Sequence, residues 1–301
     1  SLGRQTDPGC AFLLVDDRST DGTGRLFEGF RARMPSRVRV IASAAEPGEL
    51  TGKQAALDLA IDAARADVLV FTDADCVVPD GWAAEMAAHF ADPSVGAVLG
   101  RVVLPEDRGF LRRFQAFEQP LINQYNFAPL GLGGAFGCFG NNLAVRREAA
   151  VAVGGFRGLG WSVTEDTTLL TAIRDLGRWK VRAAVSAAGT VTTTAKPDWA
   201  SYVNQHTRWN AGAIHARDWQ TRLVYLLVIV LYLPLTLVVL PLGLLDWRVA
   251  VVSLASFVSV GSFGFLAGLL PGVERARYYR RLVPYLVFFQ FFYSFVTWRA
   301  A

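Results

Sequence analysis

The chain has 301 residues, 52% of them hydrophobic, and a formal net charge of +4. That charge is too small to point to nucleic acid as a partner. The cysteines Cys10, Cys76 and Cys138 lack metal or redox spacing, which excludes a disulfide framework and fits reduced thiols in the cytoplasm.

The length suits one large or two small domains. Residues 1–221 read as an ordinary globular domain, and residues 222–301 are dominated by Leu, Val, Phe and Tyr. No signal peptide is read at Ser1–Gln5, and a strand follows almost at once, so the chain is expected to begin inside a domain.

Strand-type apolar runs are predicted at residues 10–15, 38–42 and 67–72, about 28 residues apart, as strand–helix–strand units require. The helix predicted between the second and third runs covers 54–65, with Ala56, Leu57, Ala60, Ile61 and Ala64 at helical spacing. Alternating strands and helices imply a parallel sheet covered on both faces. Such sheets bind ligands at the C-terminal ends of their strands. A further helix over 109–125 places Phe110, Phe114, Phe117, Leu121 and Tyr125 on one face, either turned to a core or lying on a membrane surface.

Three uncharged segments, 223–245, 249–270 and 282–298, have 23, 22 and 17 residues and are expected to be transmembrane helices. Pro234 and Pro241 in the first do not exclude this. The loop 246–248 is neutral, whereas 271–281 carries Arg275, Arg277, Arg280 and Arg281 against Glu274. Positive loops stay cytoplasmic. Residues 1–221 are therefore expected on the cytoplasmic side.

Four motifs and one lysine carry polar chemistry. Asp16 and Asp17 end the first strand, where carboxylates accept hydrogen bonds from a base or ribose; Ser19, Thr20 or Asp21 is expected to cap the next helix. Asp73 and Asp75 end the third strand, and in an extended chain residues i and i+2 point the same way, onto one hard divalent cation. Lys53 opens the preceding helix, where a cation is unfavourable for the dipole unless an anion is to be bound. Thr164, Glu165 and Asp166 read either as a helix cap or as the setting for Asp166 as a general base. Gln205, Arg208 and Trp209 share a face if helical, Trp offering a sugar platform and Arg a phosphate partner. The alternative is an interfacial Trp and Arg near a membrane. His206 and His215 are expected to face solvent or bond locally.

In this order the motifs resemble the inverting family 2 glycosyltransferases. The matching pieces are VDDRSTDGT, GK, TDAD, GCFGNNLAVRRE, GGF, TED and QHTRW, spanning Val15 to Trp209. The C-terminal spans look like those of membrane members. The resemblance implies an α/β GT-A fold, with a mainly parallel sheet and C-terminal transmembrane helices. It implies donor contacts from Asp16, Asp17, Lys53, Asp73, Asp75 and Arg208, with Mg2+ or Mn2+ held at Asp73 and Asp75. Asp166 would deprotonate the acceptor hydroxyl, and Gly140, Asn141, Glu165, Gln205 and Trp209 would line the acceptor side. The family begins with a strand and helix ahead of the VDD strand, and only nine residues precede Cys10, so an N-terminal truncation is expected.

The expected reaction is transfer from a nucleotide-sugar, a UDP-sugar, to a lipid or saccharide acceptor at a bacterial inner membrane. The alternatives are a processive polysaccharide synthase and a non-catalytic nucleotide-binding membrane protein.

Overall fold

The computed structural model describes residues 1–43, 50–105, 108–227, 242–243 and 245–300, with the backbone alone for Val252, Ser253, Ser256 and Phe257. Contacts divide the chain into two units, Ser1–Gly100 with Cys138–Val191 and Arg101–Gly137 with Thr192–Ala301. Residues 101–137 and 192–221 thus group with the C-terminal helices.

In the first unit the apolar runs become strands close to their expected positions. β1 (Phe12–Asp16) pairs in parallel with β2 (Val38–Ala42), Phe12 opposite Val38 and Asp16 opposite Ala42. β1 starts two residues late because the Cys10 N–H turns back to the Asp7 carbonyl. It ends on Asp16, which puts that carboxylate at the strand's C-terminal end. α1 (Thr23–Arg33) links β1 to β2, and α2 (Gly52–Ala63) precedes β3 (Val68–Phe71). After β3 come α3 (Trp82–Ala88) and β4 (Val95–Gly100), all six residues of which are buried. A strand buried on both faces reads as a continuous apolar run, as VGAVLG does.

The second segment of this unit supplies β6 (Leu143–Arg146), α5 (Arg147–Ala152), α6 (Gly155–Leu159), α7 (Glu165–Asp175) and β7 (Lys180–Ala184). The strand β5 (Val102–Val103) belongs to the other unit. β3, β6, β4 and β7 lie side by side in that order. β4 and β7 run parallel, and β6 is antiparallel to both its neighbours. Parallel pairing therefore holds for β1–β2 and β4–β7, and β6 departs from it. Val78, Trp82, Met86, Val95, Val98 and Ala144 form the core against α3.

The second unit is helical: α4 (Phe110–Phe127), α8 (Trp199–Ile214), α9 (Trp219–Tyr225), α10 (Trp247–Ala267) and α11 (Arg275–Ala300). The 109–125 pattern resolves as a core-facing helix. Phe114, Phe117 and Leu121 are buried with Tyr202 of α8 and Leu286 and Phe292 of α11. Phe114 meets Phe288 edge-on with ring centroids 4.8 Å apart, a favoured aromatic geometry.

Two of the three expected membrane spans need correction. Most of 223–245 lies outside the described residues. Among the described residues no helix is long and apolar enough to cross a membrane. The segment 282–298 falls inside α11, which begins with Arg275, Arg277, Arg280 and Arg281 and spends Leu286, Phe292, Tyr293 and Val296 on the bundle core. The segment 249–270 largely coincides with α10, four of whose side chains lie outside the described set.

Candidate active site

The first unit gathers five of the expected site residues. Lys53, second residue of α2, places its Nζ 2.8 Å from Asp73 Oδ1 and 3.6 Å from Glu165 Oε1. Its neighbours at the helix N-terminus are thus carboxylates. Burial pulls the amine's pKa down, but the charges of Asp73, Glu165 and Asp166 outweigh this and raise it. Lys53 is therefore a fixed cation, and it bridges the second and third acidic motifs.

Asp166 lies in the first turn of α7. Its Oδ1 accepts the Thr167 N–H at 2.7 Å and its Oδ2 accepts the Gly140 N–H at 2.7 Å. Thr164 is the N-cap residue, yet its side chain makes no capping bond. Asp166 itself satisfies a first-turn donor, so structural and chemical roles coincide in one carboxylate. Burial, then the Glu165 charge, pushes its pKa from 3.8 up to about 6; the two N–H donors and Lys53 restrain the rise. A carboxylate with a pKa near neutrality is suited to take a proton.

Gly140 has to be glycine for this contact. A Cβ built there would lie 2.8 Å from Asp166 Oδ2. Next to it, Asn141 donates from Nδ2 to Cys76 Sγ at 3.4 Å, and its Oδ1 is buried without a hydrogen-bond partner. The Cys138 thiol is pushed well up by burial and then by Asp166, so it stays protonated and is no nucleophile.

The Asp73–Asp75 segment is a turn after β3, with the Cys76 N–H donating to the Asp73 carbonyl. The extended-chain argument for their convergence therefore fails. Asp73 is held by Lys53, whereas Asp75 is exposed and accepts from the Cys76 thiol at 3.5 Å. Among the described residues no group of three or more His, Cys, Asp or Glu could hold a metal ion. The donor chemistry still fits Mg2+ or Mn2+, because such ions take one or two carboxylates and complete their shell with substrate phosphates and water.

Asp16 and Asp17 make local contacts. Asp16 Oδ1 accepts the Ser19 N–H at 2.9 Å, and Asp17 pairs with Arg18 at 3.1 Å. The first residue of α1 follows Gly22 as N-cap, and Asp21 accepts both the N–H and the hydroxyl of Thr23. Capping is thus the work of Asp21, which leaves Asp17 partly exposed at the strand end.

Two residues outside the motifs set the frame. Gln54, buried, donates to the Gly160 carbonyl at 2.7 Å and accepts the Ser162 N–H at 3.1 Å. Asp58, also buried, accepts the Arg157 N–H at 3.0 Å and pairs with its guanidinium at 2.9 Å. Both lie on α2, so the helix that carries Lys53 also fixes the loop leading into Glu165 and Asp166. The sequence signal is their spacing: two polar residues four apart on the apolar face of a helix.

In the second unit, Gln205, Arg208 and Trp209 all lie on α8, which meets the helical condition for a shared face. Gln205 and Trp209 are partly buried and Arg208 is exposed. His206 is buried, not solvent-facing: Nδ1 is 3.1 Å from the Tyr202 carbonyl and Nε2 is 3.1 Å from Glu118 Oε1. The Tyr202 hydroxyl donates to the same carboxylate. His206 Nδ1 thus bonds within α8, and the Glu118 contact reaches α4.

The chain is similar to several known proteins. Beta-monoglucosyldiacylglycerol synthase of Synechocystis sp. is 30% identical over 202 residues, covering 66% of this chain and 40% of that protein. The chain therefore spans about 40% of that relative's length. S. aureus TarS 1–349 in complex with UDP is 15% identical with a TM-score of 0.49, covering 98% of this chain and 84% of that one. The complex of the same protein with UDP-GlcNAc is 14% identical with a TM-score of 0.49 and the same coverage. The glycosyl transferase family 2 profile matches residues 1–154, half of the chain. The chain belongs to glycosyl transferase family 2.

Proposed function

We propose that the chain transfers a hexose from a UDP-sugar to a hydroxyl of a lipid acceptor, in one displacement that inverts the anomeric carbon. The observation that carries this reading is the Asp166 carboxylate, poised at about 6 and oriented by two backbone N–H groups. It takes the proton of the acceptor hydroxyl as that oxygen attacks. A positioned base contributes about 10²–10⁴-fold. Asn141, whose Oδ1 is unpaired, accepts a hydrogen bond from the acceptor and orients it. Glu165 shares this side with Gly140 and sustains the high Asp166 pKa.

On the donor side, Asp16 and Asp17 meet the nucleoside and Lys53 meets the diphosphate, exchanging part of its pairing with Asp73. Mg2+ or Mn2+ held by Asp73 and Asp75 would offset charge on the departing diphosphate. On α8, Arg208 is suited to a donor phosphate, and Gln205 and Trp209 are suited to the acceptor.

The lipid acceptor is supported by the Synechocystis relative, whose name is beta-monoglucosyldiacylglycerol synthase. Two exposed stripes support a membrane location, and the arginine-rich segment 271–281 supports the cytoplasmic side for residues 1–221. Val283, Val287, Phe291, Phe295 and Trp298 line one side of α11, and Val251, Leu254 and Val258 line α10. Apolar surface of this extent marks contact with lipid or protein. The test is transfer from radiolabelled UDP-glucose to diacylglycerol in bacterial membranes, with mass spectrometry of the product. One added hexose is expected; a polymer, or no product from any UDP-sugar, refutes the proposal.

A further inference from the structure

Within the helical unit, α4, the segment after α10 and the start of α11 enclose a pocket of about 200 Å³. Three arginines line it, Arg101, Arg277 and Arg281, against the single acid Glu274. Arg101 is 5% exposed. Its guanidinium is seated on Gly272, where a built Cβ would meet Nη2 at 3.0 Å and Nη1 at 3.1 Å. Gly272 also has φ +73°, so both backbone and space reserve the position for glycine.

Gln119 of α4 gives an independent sign of a ligand. It lines the same pocket, is 6% exposed, and its Nε2 donor has no hydrogen-bond partner. A buried donor left unsatisfied is costly, and native interiors rarely keep one. The neighbouring Asn123 shows the contrast: it donates to the Val102 and Gln119 carbonyls and accepts the Val102 N–H. Most of the remaining wall is apolar, with Phe117 and Val273 among its residues. The pocket thus combines cationic forks, a waiting neutral donor and a hydrocarbon surface.

We infer that this pocket binds a phosphate oxyanion, with the arginines supplying charge, Gln119 a hydrogen bond, and the apolar wall room for an attached hydrocarbon. Guanidinium groups engage phosphate through paired N–H donors, and the geometry suits a tetrahedral oxyanion. The phosphate comes either from a soluble phosphate compound or from the headgroup of an anionic phospholipid. Neither source depends on the transfer reaction, so the site stands or falls by binding alone.

The test uses the purified full chain with inorganic phosphate, at ionic strength matched with chloride, and vesicles of phosphatidylcholine with or without phosphatidic acid. Thermal midpoint reports the first ligand and co-sedimentation the second. Gln119→Leu removes the donor at similar volume, and Arg281→Gln removes a charge on a partly exposed helix face. Both are expected to weaken binding about tenfold, the size of a charge-assisted hydrogen bond. Gln119→Leu should leave the unliganded midpoint unchanged or higher, because it deletes an unsatisfied donor. A saturable response to inorganic phosphate that both variants weaken supports a soluble source. A response confined to phosphatidic acid vesicles, and weakened alike, supports a headgroup. If Gln119→Leu lowers the unliganded midpoint, Arg281→Gln alone decides. Absence of saturable binding to either probe, or wild-type affinity in the deciding variants, overturns the inference.

Discussion

Replacing Asp166 by Asn separates its proposed catalytic role from its structural one. Asn keeps the size and cannot take a proton, so transfer should fall by about 10²–10⁴-fold. The effect on stability has two parts. The rise from 3.8 to about 6 means that ionised Asp166 costs the fold up to about 3 kcal/mol, at ~1.4 kcal/mol per tenfold. The carboxylate is only partly buried, and solvent screening reduces that figure. Asn removes this cost but leaves either the Gly140 or the Thr167 N–H facing an amide nitrogen, which costs about 1–3 kcal/mol. The two parts respond differently to pH. Between 3.8 and about 6 the folded wild type holds a proton that the unfolded chain has lost, so its stability falls as pH rises through that window. The Asn variant carries no such dependence. Its stability relative to wild type should therefore improve by up to about 3 kcal/mol from pH 4 to pH 8, or roughly 5–10 °C in midpoint. Calorimetry of both proteins across that range, beside a transfer assay, checks this. A pH-independent difference, or transfer within tenfold of wild type, refutes the assignment of Asp166 as a base with a raised pKa.

Lys53→Gln removes a charge that lowers the Asp166 pKa, so the acidic limb of kcat/KM should move to higher pH while KM for the donor rises; steady-state profiles read both. Gly140→Ala sets a Cβ 2.8 Å from Asp166 Oδ2 and displaces the carboxylate. A misplacement near 1 Å costs about 10²-fold in rate, so turnover should drop while UDP binding by calorimetry is kept. Asp75 is exposed, so Asp75→Asn should change stability by less than about 0.5 kcal/mol. The Mg2+ or Mn2+ needed for half-activity should rise in the same variant, and chelation should abolish wild-type transfer.

The parts of the fold that were legible are those set by local pattern. The strand at 38–42 matches residue for residue, and the helix expected at 54–65 runs Gly52–Ala63. β6 was not legible, because Leu143–Arg146 is only four residues long and its burial depends on β3 and β4, brought from 40 or more positions earlier. The chemistry divides the same way. Asp166 and Lys53 announce themselves by residue type next to a helix start. The bond from the Gly140 N–H to Asp166 spans 26 positions and has no local signature. Asp73 and Asp75 show the opposite failure: the i, i+2 rule holds for a strand, and the strand ends at Phe71.

The C-terminal third shows why hydropathy alone misleads about burial. A sliding window counts Phe291 and Phe292 alike. On α11 they part company, since successive residues of a helix are separated by about 100°. Phe292 joins Leu286, Tyr293 and Val296 in the bundle core, while Phe291 falls with Val283, Val287, Phe295 and Trp298 on the uncovered side. One apolar segment therefore makes two interfaces. The inner one is satisfied by α4 and α8, through Phe114, Phe117 and Tyr202. The four arginines at the start of α11 follow the same economy of position. In the sequence they read as a positive loop that would set an orientation; in the structure Arg277 and Arg281 are part of a pocket wall and set its charge. An acceptor that is itself a lipid would need both: an apolar face to approach, and cations where a headgroup ends.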